Sequence, residues 1–137
     1  MKTIVIGYDE TEHSKRALER AADLAEAFGA KLIVTSVTPI LVGAVRSAGP
    51  TDSADSFGKH LQELVQARSS VSGRKIDSEF VPAVGEPADT IVELAEERKA
   101  DLIVVGTHEP NILERLLGQS VSQSVSHQAH CDVLIVH

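Results

Sequence analysis

A single cysteine, Cys131, leaves no partner for an internal disulfide, and a reducing compartment, the cytoplasm, is the natural expectation. Aromatic residues make up only 3% of the chain and tryptophan is absent, so there is little from which to build a base-stacking platform. Basic residues are also short: 13 Lys and Arg stand against 20 Asp and Glu, for a formal net charge of −7. The bases are scattered or matched by neighbouring acids, as in Glu12-His13-Ser14-Lys15-Arg16, which excludes a general nucleic-acid binder. No long hydrophobic run exists either; the longest is about half a dozen residues, where roughly 20 are needed to cross a bilayer. Lys2 leads straight into Ile4-Val5-Ile6, then Gly7 and Asp9, so no signal peptide is expected. Repeats and low-complexity tracts are missing as well.

What is present reads as ordinary globular material, 42% hydrophobic and 24% charged, over 137 residues, the size of one domain with one core (1–137). Short β-rich runs alternate with stretches of helical period, the pattern of a parallel sheet with crossover helices. Thr3 to Tyr8 predicts a first strand. A helix over 12–28 places Leu18, Ala21, Ala25 and Phe28 on one face, with Gly29 as its stop. Lys31 to Val37 predicts the second strand, followed by an irregular surface loop over 38–52 that carries Pro39, Gly43, Gly49 and Pro50. A helix from about Ser53 to Ser72 is expected to bury Phe57, Leu61, Leu64 and Val65.

The run from Ile76 to Ala83 is more polar and contains Pro82, which cannot donate to a ladder, so it reads as an edge strand. Gly85-Glu86-Pro87-Ala88 opens a third helix that turns Ala88, Ile91, Val92 and Ala95 inward. Asp101 to Gly106 is apolar on both faces, as a central parallel strand should be. A fourth helix is expected within 112–129, and Val133 to Val136 closes the series.

In open parallel sheets ligands bind beyond the carboxyl ends of the strands, where strand order reverses. The informative strand ends are Tyr8-Asp9 and Gly106-Thr107. With them stand Ile4-Val5-Ile6-Gly7-Tyr8-Asp9, His13 to Leu18, Gly85-Glu86-Pro87-Ala88 and Ala100 to Gly106. Ser120-Val121-Ser122 and Cys131 to Val136 complete the set. In this order and spacing they resemble a small universal stress protein over essentially the whole chain. The resemblance implies an α/β, doubly wound, Rossmann-like sheet of five parallel strands in the order 3-2-1-4-5, with helices on both faces. It brings Asp9 and Gly106 to one crevice and leaves the fifth strand at an edge. Val133-Leu134-Ile135-Val136 is too apolar for a bare edge, and the family's answer, a homodimer across that strand, is physically reasonable.

ATP-binding members of the family carry Gly, two residues, Gly, nine residues, then Gly followed by Ser or Thr. The matching positions here are Gly106, Glu109, Gln119 and Ser120, so the outer two survive and two glycines are lost. Glycine lets backbone approach phosphate, and the N–H groups opening the next helix bind the anion. Glu109 instead sets a carboxylate near any polyphosphate, and Pro110 holds Glu109 extended. Gly118 lies one position early and offers a shifted loop a partial remedy. The site residues implied by resemblance are Asp9 and Val37 for the adenosine part. Gly106, Thr107, His108, Ser120, Val121 and Ser122 belong to the phosphate side.

Bland roles compete with each of these. Asp9 and Glu12 have the spacing of a capping box, Ser120 and Ser122 suit a helix start, and Val37 suits a core. Gly118-Gln119-Ser120-Val121-Ser122 resembles a nucleophile elbow lacking its last glycine, but Ser120 does not directly follow a strand. His127, His130 and Cys131 lack a fourth metal ligand at sensible spacing and fit the end of a helix better. His13 and His60 read as exposed helix residues. The expected function is a non-enzymatic dimeric stress-response regulator or binding module with no firm cofactor, its nucleotide binding lost or weakened. The alternative is an ATP- or AMP-binding member with an adapted loop and at most slow hydrolysis. A small hydrolase using Ser120 is a third reading, and protein partners, but no membrane, are compatible with all three.

Overall fold

The computed structural model describes residues 1–39, 45–107 and 120–137, and within the second helix the side chains from Phe57 onward. In chain order the elements are β1 (Thr3–Gly7), α1 (Glu12–Phe28), β2 (Lys31–Thr38), α2 (Val45–Val71) and β3 (Ser78–Val84). There follow α3 (Pro87–Glu97), β4 (Leu102–Gly106), α4 (Val121–Gln128) and β5 (Asp132–Val136). All pairings are parallel, and the sheet order is β3-β2-β1-β4-β5. This is the doubly wound α/β architecture expected.

Strand alternation sorts the core into two layers. Ile4, Ile6, Leu32, Val34, Leu102 and Val104 pack on one face with residues of α1 and α2. Val5, Ile33, Ile103 and Val105 pack on the other against α3 and Val125 of α4. Because β1 has helices over both faces, Ile4, Val5 and Ile6 are each fully buried, which is why an unbroken apolar run suits it. α1 ends where Gly29 takes the left-handed conformation (φ 63°), a backbone state that costs glycine nothing. Its opening differs from expectation: Thr11, not Asp9, is the N-cap, and its side chain accepts from the Ser14 N–H. Asp9 lies two residues earlier and orients that cap, its Oδ1 accepting from both the N–H and the hydroxyl of Thr11.

Other departures have physical causes. β2 extends through Thr38, and α2 begins at Val45, so part of the expected 38–52 loop is helical. Pro50 near the start of α2 removes one backbone donor without ending the helix. Residues 40–44 lie outside the described set. α2 is also rotated from its expected face: Leu64 is buried with Glu63, Ala67 and Val71, whereas Phe57, Leu61 and Val65 are exposed. Hydrogen bonds from α2 to β2, described below, select that rotation. Phe28 is exposed as well, because it is the last helical residue before the turn at Gly29. β3 starts at Ser78 rather than Ile76, and β5 includes Asp132. Of the fourth helix expected over 112–129, Val121–Gln128 is described, and 112–119 lie outside.

The two edge strands differ. β3 carries Glu79, whose carboxylate meets Lys31 at 3.7 Å and also contacts Arg98. β5 shows Val133, Leu134 and Ile135 half-buried at the other edge.

Candidate functional site

The carboxyl ends of β1, β2 and β4 open into a crevice of about 230 Å³ at the point where strand order reverses. The first two links of α1 to this crevice are local. The Asp9 N–H donates to Ser14 Oγ at 2.9 Å, and the Asp9 carboxylate holds Thr11, so the β1–α1 turn is braced from both sides. Asp9 is exposed, lines the crevice, and has no further partner for Oδ2 among the described residues. Tyr8 beside it is 4% exposed and also lines the crevice. Burial, and then the surrounding carboxylates of Glu10, Glu63, Asp9 and Glu12, push its phenol above the ordinary 10.0, so it keeps its proton and can donate.

Gly106 ends β4 against the first turn of α1. A Cβ there would stand 2.7 Å from both the carbonyl carbon and the oxygen of His13, and 3.0 Å from the Ser14 nitrogen. These are backbone atoms and cannot swing aside, so close packing by itself demands glycine at this position. Thr107, the next residue, lines the crevice and is tied to the end of β5, its N–H donating to the Val136 carbonyl at 2.8 Å. His13 is half-buried beside it, with Nδ1 2.9 Å from Arg16 Nη2 and 3.3 Å from Thr107 Oγ1. Arginine can only donate, so Nδ1 of His13 is the acceptor of that bond.

Ser120 is the N-cap of α4, its Oγ accepting from the Gln123 N–H at 3.2 Å and lying 3.3 Å from Ser122 Oγ. Ser122 is buried, and Val121 between them reaches the crevice. Of the residues expected at the site, Asp9, Val37, Gly106, Thr107 and Val121 line this crevice. Ser120 and Ser122 stand behind it at the start of α4. His108, Glu109 and Gln119 lie outside the described residues.

One wall escaped the sequence reading. His60 of α2 lines the crevice and is not an exposed helix residue: its side chain is 16% exposed. His60 Nδ1 lies 2.9 Å from Glu63 Oε2 and 2.7 Å from Ser36 Oγ. Ser36 Oγ donates to the same Glu63 oxygen at 2.8 Å. Ser36 is fully buried and Glu63 is 3% exposed, so this is an interior polar cluster that pins α2 to β2. The available signal was Ser36, a hydroxyl following the buried run Leu32-Ile33-Val34, which demands a polar partner; Thr35 before it donates instead to the Val81 carbonyl of β3.

Among the described residues, no Lys or Arg lines the crevice. The described residues also contain no group of three or more His, Cys, Asp or Glu placed to hold a metal ion. His130 instead pairs with Glu96 at 2.8 Å. Burial, followed by nearby Asp132 and Asp101, raises the Cys131 thiol above its ordinary value, which suppresses the thiolate.

Comparison with known proteins agrees with this architecture. The universal stress protein family model matches residues 1–137. The Mycobacterium tuberculosis H37Rv universal stress protein Rv1636 is 38% identical, over 99% of this chain and 96% of its own length. The Methanocaldococcus jannaschii universal stress protein MJ0531 is 35% identical, over 98% of this chain and 81% of its own. A crystal structure of a universal stress protein in complex with cAMP superposes with a TM-score of 0.78 at 36% identity, covering 99% of this chain and 97% of that one. The match runs the length of the sheet and includes both strand ends that frame the crevice: this chain belongs to the universal stress protein family.

Proposed function

We propose that the protein is a non-enzymatic, dimeric stress-response binding module that holds an adenine nucleoside monophosphate, cyclic or open, and binds ATP weakly. The observation that carries this reading is the crevice at the sheet crossover, whose described wall has no Lys or Arg. A triphosphate brings several negative charges that need cations or many N–H donors, whereas a monophosphate or cyclic phosphate needs far fewer. Glu109 and Gln119, in place of the two glycines, act in the same direction. The cAMP held by the 36%-identical relative supports the ligand class. Asp9 offers a carboxylate to a ribose hydroxyl, and Val37 a flat apolar contact to the base. Gly106, Thr107, Ser120, Val121 and Ser122 form the phosphate side, to which the family resemblance adds His108.

Among the described residues the contacts of Ser120 Oγ are the Gln123 N–H and Ser122 Oγ, those of a helix cap and not of an activated hydroxyl, which favours binding over catalysis. Thermal-shift titration with cAMP, AMP and Mg-ATP tests the reading. The monophosphates should stabilise more than Mg-ATP, by about 2.7 kcal/mol when present at roughly 100 times their Kd. Equal or greater stabilisation by Mg-ATP, or none by any of them, overturns it.

The dimer is proposed across β5, whose apolar Val133 to Val136 would otherwise form a bare edge. Sedimentation equilibrium should show a dimer that Val133→Lys converts to monomer; a monomeric parent at high micromolar concentration removes the proposal.

A further inference from the structure

The buried Ser36–His60–Glu63 cluster has no role in the phosphate chemistry above, yet its histidine forms part of the crevice wall. Its protons can be placed by elimination. Glu63 Oε2 faces both Ser36 Oγ and His60 Nδ1 within 2.9 Å, and an ionised carboxylate can only accept. With Glu63 ionised, Nδ1 carries a proton, since a bare Nδ1 would set two lone pairs against each other. In the neutral ring Nε2 is then a bare acceptor, and it has no partner among the described residues. The cluster is no hydrolytic triad, because Ser36 and Glu63 meet the same ring nitrogen and Ser36 is sealed from solvent.

The position of His60 in the crevice tells which part of a ligand it meets. The β4 side holds Gly106, Thr107 and Val121 at the opening of α4, the end suited to an anion. The β2 side holds Val37, Pro39 and His60, an apolar end with one imidazole. A nucleotide with its phosphate at α4 therefore points its base toward His60.

We infer that His60 is a specificity-determining residue that selects 6-aminopurines over 6-oxopurines, with Glu63 and Ser36 as positioning residues that fix its tautomer. Nε2 accepts from the exocyclic amino group of adenine. Against the carbonyl at the same position of hypoxanthine, acceptor would face acceptor. The inference rests on the nucleotide reading and deepens it.

Isothermal titration of the full chain at about pH 8 with cAMP and with cyclic IMP, whose purines differ at position 6 and in the proton that hypoxanthine carries on N1, tests this. The parent should prefer cAMP by about tenfold, the worth of one hydrogen bond gained against one repulsion. His60→Asn keeps an amide N–H near the place of Nδ1 for Glu63 but removes Nε2, and should bind the two ligands equally. Glu63→Gln, whose amide can donate to Nδ1 as well as accept from it, should narrow the preference without touching ligand. Nitrogen-15 spectra of the parent imidazole give an answer even where a variant fails to fold. They should show Nδ1 protonated, Nε2 bare, and an Nε2 resonance that moves with cAMP. An Nε2 proton in the free protein, equal binding by the parent, or a preference that survives His60→Asn sinks this inference alone. No binding of either nucleotide removes the nucleotide reading and this inference with it.

Discussion

The two ends of the crevice are built on different principles. The β4 end is made of backbone: Gly106 fits because nothing larger can lie against the His13 carbonyl, and Ser120 caps α4 through a main-chain N–H. The β2 end is made of side chains, with Ser36, His60 and Glu63 satisfying one another inside the protein. Backbone recognises charge without regard to what carries it, whereas a fixed imidazole distinguishes donor from acceptor. Under the proposed function, an anion is held at the β4 end and ligand identity is read at the β2 end.

The sharpest way to break that comparison is Gly106→Ala. With a methyl 2.7 Å from the His13 backbone, β4 or α1 must shift, and chemical denaturation should show a loss of about 1–3 kcal/mol. A variant as stable as the parent would mean that the glycine serves the ligand alone. Next in size is Glu109→Gly combined with Gln119→Gly, which restores both missing glycines. Titration with Mg-ATP should then show binding tighter by about tenfold, or 1.4 kcal/mol, with cAMP little changed. No gain would place the defect outside the loop.

Ser36→Ala probes the other end. It removes one of two donors to a buried carboxylate and should cost about 1 kcal/mol in denaturant melts, while His60 still serves Glu63. The smallest effect is expected from Asp101→Asn, at the opposite end of the sheet and away from either half of the crevice. The Asp101 carboxylate accepts from the N–H groups of Lys2 and Thr3, and these bonds hold it below the ordinary 3.8. A carboxyl lowered in the folded state contributes in full above its unfolded value, and that contribution drains away as pH falls through the folded one. Melting temperature against pH should thus fall less steeply below about pH 4 in Asp101→Asn than in the parent, with nucleotide binding unchanged.

Much of this was legible in the chain. The apolar runs at β1 and β4 announced strands covered on both faces, and the resemblance carried the strand order and the crossover between Asp9 and Gly106. Pro82 and the charged Glu79 marked β3 as an edge. The rotation of α2 was not legible, because its apolar residues fit more than one face. Counting Phe57, Leu61 and Val65 as core left Glu63 outside, and the structure reverses this. The cap of α1 was misplaced by two residues because Asp9 and Thr11 are both good capping types, and only their mutual hydrogen bonds rank them.

The order of apolar and polar residues by itself determined the class of fold, a property of period and spacing that survives without coordinates. The resemblance to universal stress proteins supplied the reversal point of the sheet and the two gaps at Glu109 and Gln119. Tertiary structure decided which hydroxyls, imidazole and carboxylate meet. Ser36 and Glu63 are 27 residues apart, and nothing local joins them. They come together because Ser36 is sealed within β2, where its hydroxyl must find a partner and α2 is the element that lies over it. An unpaired buried hydroxyl is costly, and the face of α2 that presents Glu63 and His60 to Ser36 is the one that also supplies the wall of the crevice.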